Sequence, residues 1–209
     1  MFFIISVSIR RILSRVSGRE DTYSVLIETL KVDTSLPKSL DSEKESIDKR
    51  ITDILEKLNP DLIYDILNQV KAGKLSSEVL QTLLPAFLEL IKKYSEELKK
   101  ERQKYDDLRK RVIEETRDLL QIRLPLLDFL SKRIPPENKE LNARKTELQS
   151  FSEELQRVRS SVENVGAKLT ELESKISALE KELIKFSPQK EQTSTAPATT
   201  NPISQTPPG

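Results

Sequence analysis

The sequence predicts an all-α protein: a small helical base, a long antiparallel coiled-coil hairpin turning at Pro135-Pro136, and a disordered C-terminal tail. Three observations carry that prediction. Apolar residues recur in alternating steps of three and four over two long tracts. A proline pair separates the tracts. The chain has only four glycines and is dominated by Lys, Glu, Leu, Arg and Ser, a composition of long helices rather than of a sheet.

The second tract is the clearer one. From Leu148 the apolar positions run Phe151, Leu155, Val158, Val162, Val165, Leu169, Leu172, Ile176, Leu179, Leu183 and Phe186 without a miss. Extending the pattern back to Leu141 brings in Arg144 as the one intruder. The first tract runs Leu84, Phe87, Ile91, Tyr94, Leu98, Glu101, Tyr105, Leu108, Val112, Glu115, Leu119, Ile122, Leu126 and Phe129, where only the two glutamates are polar. Between them lies RIPPEN. Neither proline can continue a helix, and the residue before a proline is pushed toward extended backbone. Pro136 suits the first turn of the next helix, with Glu137 and Glu140 near its positive end.

Folding the tracts back at Pro135 makes the seams meet. Leu119 falls opposite Phe151, Val112 opposite Val158, Tyr105 opposite Val165, Leu98 opposite Leu172 and Ile91 opposite Leu179. This match predicts an intramolecular hairpin with arms ~70 Å long, at about 1.5 Å per residue. The second tract also carries opposite charges at Glu154 and Arg159, Lys168 and Glu173, and Lys175 and Glu180, which would suit a parallel dimer.

Shorter elements precede the hairpin. Ser42 with Glu45 reads as a capping box opening a helix with Ile47, Ile51, Ile54, Leu55 and Leu58 on one face. Asn59 caps a new helix whose first residue is Pro60, with Leu62, Ile63, Ile66, Leu67 and Val70 on its face and Gly73 at its end. Ser76 or Ser77 caps the helix that runs through Pro85, a start or kink, into the hairpin. The expected divisions are 1–33, an N-terminal basic amphipathic or strand segment; 42–82, a helical base; 83–186, the hairpin; and 187–209, a tail of Pro, Thr, Ser and Gln too polar to order itself.

Residues 1–19 carry four arginines and no acid, whereas 20–80 hold 13 acids and 8 bases. As a helix, Phe2, Ile5, Ile9, Ile12 and Val16 share one face, with Arg10, Arg11, Arg15 and Arg19 toward the other. That is a basic amphipathic segment fit for an anionic membrane surface, or for docking on the acidic segment that follows. As a strand, Ile5, Val7 and Ile9 alternate with polar residues, and a short N-terminal strand pair with Thr22–Val32 is the competing reading, although Thr22–Val32 also reads as a short helix. An acid-free, Arg- and Ser-rich start is also the composition of a transit peptide. The apolar run is too short to span a bilayer as a helix.

The chemistry is bounded by absences. There is no cysteine and no histidine, which removes disulfides, thiol catalysis, Cys/His zinc sites and Ser-His triads. Gly166 to Lys168 lacks the rest of a phosphate-loop signature and lies inside the heptads. No catalytic, cofactor-binding or metal-ligating residues are expected, and the chain is read as a non-enzyme. Ile91–Arg111 is basic with Tyr94 and Tyr105 interleaved, but both tyrosines fall on the seam, which argues against nucleic-acid stacking.

One surplus remains. Ile122, Leu126 and Phe129 fill the seam, leaving Leu124, Leu127, Leu130 and Ile134 over at the hairpin tip, where Pro125 should kink the arm. A leftover apolar cluster at a tip reads as a contact surface. The expectation is a cytoplasmic scaffold or adaptor that self-associates as a homo-oligomer and binds a protein partner. A membrane-peripheral filament subunit is the alternative, and an architectural nucleic-acid binder is the third reading.

Overall fold

The computed structural model describes residues 19–187, and all regular structure among them is helical. In chain order these are α1 (Arg19–Glu28), α2 (Leu36–Leu58), α3 (Pro60–Lys71), α4 (Ser77–Asp118), a π-helical turn (Leu119–Arg123), α5 (Leu124–Ser131) and α6 (Lys139–Lys185). Positions 1–18 and 188–209, which include most of the expected basic segment and tail, lie outside the described residues. Thr22–Val32 is not a strand: α1 takes it as far as Glu28, and Tyr23, Leu26, Ile27 and Leu30 gather on one helical face.

The hairpin forms as the heptads predict. Leu84, Ile91, Tyr94, Leu98, Tyr105, Leu108 and Val112 of α4 are buried, as are the seam residues of α6 from Leu141 to Leu183. Arg102 bonds Glu173 and Thr170 across the pair, and Tyr105 packs on Gly166, next to its expected partner Val165. Asn138, rather than Pro136, opens α6: its side chain accepts from the Leu141 amide at 2.8 Å. The two prolines are spent on the turn itself, where the Pro135 carbonyl accepts from the Asn138 amide.

The seam departs from expectation just before Pro125. A proline at this point lacks the amide for a helical bond, and its ring would strike the carbonyl four residues back. The chain responds with a π turn, in which the Leu124 amide reaches back five residues to the Leu119 carbonyl. The extra residue rotates everything beyond it. Ile122, expected in the seam, is 41% exposed, and Leu130 is fully buried while Phe129 is only partly so.

The largest difference concerns the expected base. The helix predicted from Ser42 begins at Leu36, with Pro37 in its first turn and Asp33 accepting from the amide and hydroxyl of Ser35. It does not fold onto α3. It lies lengthwise along the hairpin, antiparallel to α4 and parallel to α6. Glu43 pairs with Arg111, Arg50 with Glu97 at 2.7 Å, and Asp48 with Lys168 at 2.7 Å. Leu40, Ile47, Ile51, Ile54 and Leu58 are its buried stripe, in the same heptad rhythm as the hairpin.

At Asn59 the arm bends. Asn59 takes a left-handed conformation (φ 42°), ends α2, and accepts from the Leu62 amide to start α3. α3 continues along the hairpin, where Lys71 meets Glu182 at 2.6 Å. Gly73, at φ 68°, turns the chain back, and Ser76 caps α4. The molecule is therefore a three-arm helical bundle, α2–α3, α4 and α6, with α1 against α5 and the start of α6 at the tip.

The ion pairs set register more than they set stability. Exposed pairs contribute about 0–1 kcal/mol each, whereas each buried Leu or Ile contributes ~1.5–3 kcal/mol. Gly166 is explained by packing as well. A Cβ built there would fall into the ring and hydroxyl of Tyr105. In an open helix, replacing Gly by Ala gains about 1 kcal/mol. Here overpacking reverses the sign, and Gly166→Ala should destabilise the fold by roughly 1–3 kcal/mol. Thermal unfolding checks this: a lowered midpoint is expected, and a raised one would show that Tyr105 does not occupy that space.

Candidate functional site

The two ends of the bundle differ chemically from its shaft, where Lys, Arg, Glu and Asp cover the outer faces. Exposed large hydrophobic residues lie toward the ends: Val25, Ile113, Leu120 and Ile122 in the tip half, and Leu55, Leu62, Val79 and Ile184 in the other.

The tip is built by the π turn, α5 and the Pro135-Pro136 loop. α5 holds one charged residue, Asp128, which pairs with Lys132 at 2.6 Å. Beside it the Arg133 guanidinium lies 3.7 Å above the Phe129 ring, a cation–π contact. Of the four residues singled out in the sequence, Leu130 and Ile134 are buried, and Leu124 and Leu127 are half-buried against the core. The same apolar cluster includes Leu26 and Ile27 of α1 and Leu30 of the turn that follows it. α1 thus covers part of the surplus within the chain. Its C-terminal end is held by Arg123, which donates to the carbonyls of Thr29 and Lys31 while pairing with Asp118 at 2.5 Å.

What stays open at the tip was not in the sequence prediction. Leu120 is 56% exposed, and Ile113, two helical turns earlier, shares its stripe. Ile122 is open because of the π turn. That Thr22–Val32 could be a helix was legible in the spacing of Tyr23, Leu26, Ile27 and Leu30, but its place over the tip was not. Phe2, Ile5, Ile9, Arg10, Arg11 and Arg15 lie outside the described residues.

At the opposite end an open groove runs between α3 and α6, lined by Tyr64, Asn68, Lys71, Glu182, Ile184 and Lys185. Leu62 and Ile184 are each more than half exposed. Glu182 bridges the helices. Hydrogen bonds from Lys185 first, then from Lys71, hold its carboxyl down at about 2.

Among the described residues, no group of three or more Asp or Glu side chains is placed to hold a metal ion. Glu101 is the one buried acid there; it sits in the seam and accepts from Lys104 at 2.7 Å. Tyr94 and Tyr105 are buried in the seam, with Lys93 5.2 Å and Arg102 5.6 Å from their ring centroids. No helix among the described residues is long and apolar enough to cross a membrane.

Comparison of the chain with protein families, curated proteins and solved structures found no match.

The bridge at Glu182 has a pH signature. A carboxyl with a depressed folded-state pKa contributes stability above its unfolded value, 4.5, and loses it as pH falls toward about 2. Replacing Glu182 by Gln should therefore lower the unfolding midpoint at neutral pH. The gap to wild type should close between pH 4.5 and 2. A gap that persists unchanged at pH 2 would mean that the carboxylate is not the contributing group.

Proposed function

We propose that this chain is a non-enzymatic scaffold or adaptor that self-associates and binds partner proteins through the apolar tip of its bundle. The observation that carries this reading is the contrast along the rod. A shaft covered in charge of both signs stays in water, and its tip places Leu120, Ile122 and half-buried Leu124 and Leu127 where another surface can reach them. Apolar residues concentrated in one region mark contact surfaces more often than scattered ones do. A rod of this kind presents its ends at a fixed separation, which is what a spacer or scaffold requires.

A second copy of the chain is the favoured partner. The tip is close to neutral, because Asp128 is paired with Lys132 and Asp118 with Arg123, while Glu137 offsets the charge of Arg133. Two such surfaces meet without like-charge repulsion. Among the described residues, the groove between α3 and α6 and that beside Val25 and Glu140 are open rather than enclosed.

Replacing Leu120 and Ile122 together by Glu should leave helicity intact, since neither side chain is in the core, and should weaken self-association. Light scattering over a concentration series checks this. Unchanged mass at every concentration would remove the tip as the contact.

A further inference from the structure

We propose that α1 is an autoinhibitory cover. It occupies the apolar tip in cis, and its release uncovers the surface on which a second copy of the chain docks. This deepens the self-association reading and rests on it.

Three observations support the cover. First, among the described side chains α1 docks through buried Leu26 and Ile27 and half-buried Tyr23, followed by buried Leu30 just past its end, and it contacts α5 and α6. Second, the described part of α1, Arg19–Glu28, owes its order chiefly to packing, since helices in proteins draw most of their stability from tertiary contacts rather than from propensity. Its order and its docking are therefore coupled. Third, it is joined to α2 by a short stretch, Thr29–Ser35, in which only Leu30 is buried and Val32 half-buried. Among the described residues, a polar tether to the tip is the Arg123 guanidinium on the carbonyls of Thr29 and Lys31. The three arms of the bundle pack on one another independently of α1, so its departure leaves their mutual seams intact.

Departure would uncover the face of α5 on which α1 packs, in a helix whose apolar residues are Leu124, Leu126, Leu127, Phe129 and Leu130. These join Leu120 and Ile122 in one apolar end. A linker this short gives α1 an effective concentration on the order of mM at its own tip. The closed monomer therefore dominates at low concentration, and a second copy competes only when α1 is weakened or drawn away.

The test uses the full chain. In an open form, Leu26→Glu with Leu30→Glu removes the docking face of α1 without touching the tip. In a closed form, Val25→Cys and Glu140→Cys, which line one groove, are joined by a short bis-maleimide; the natural chain has no cysteine to interfere. The open form should bind more of an apolar-sensing dye when dilute and associate at least about tenfold more tightly by light scattering. The closed form should associate less than its unlinked parent. Wild-type dye binding and mass in the open form would overturn the cover while leaving self-association standing. More dye with no gain in mass would instead overturn the tip as a self-association surface. If circular dichroism shows that the open form has lost its helices, the closed form decides: equal mass with and without the linker overturns the cover.

Discussion

Two helices touch along a single line, and the side chains on that line keep a flank in water. In this bundle that flank is closed. Leu108, Leu148, Leu169, Leu179 and Leu183 of the hairpin have no exposure at all. Apart from Leu148, which lies tipward of the start of α2, they reach that state because α2 and α3 lie lengthwise over the α4–α6 seam, bringing Leu40, Ile47, Ile51, Ile54, Leu58, Ile63 and Leu67 down onto it. The shared row of apolar side chains is what the other features serve. The left-handed Asn59 lets the third arm bend and continue. Gly73 and the proline pair return the chain at either end. The ion pairs of Arg111, Lys168 and Arg50 hold the register at which the rows interlock.

The ends are where this arrangement runs out. At the tip the third arm stops at Leu36, and the hairpin goes on through the π turn and α5 without it. α1 covers part of that length and leaves part open. The apolar surplus at the tip is therefore a consequence of arm lengths as much as of local sequence. The scaffold reading and the cover both follow from this mismatch between three arms of unequal reach.

The hairpin was readable because heptads state their own partner: Tyr105 and Gly166, or Arg102 and Glu173, meet close to where the numbering places them. The third arm was readable in part. Ile47, Ile51, Ile54 and Leu58 keep the coiled-coil rhythm, and extending it back to Leu40 would have marked α2 as a third strand of the coil. A capping box at Ser42 and Glu45 hid that extension, because a good local start signal lay inside a longer helix that begins at Leu36. The π turn could not be read from apolar spacing, since Ile122 fits the repeat on paper. It comes from the carbonyl that Pro125 displaces. The cover by α1 joins segments far apart in the chain, α1 with α5, and no local pattern announces such a contact.

The central claim is that α2 and α3 are an integral arm of one cooperative bundle rather than a separate base carrying a hairpin. Native-state hydrogen exchange, read residue by residue, tests it most directly. The account predicts that the amides of Ile47, Ile51 and Ile54 exchange only through the same global opening as those of Leu98, Leu108, Val158 and Leu169. Rapid exchange along α2 while the α4–α6 hairpin stays protected would contradict it.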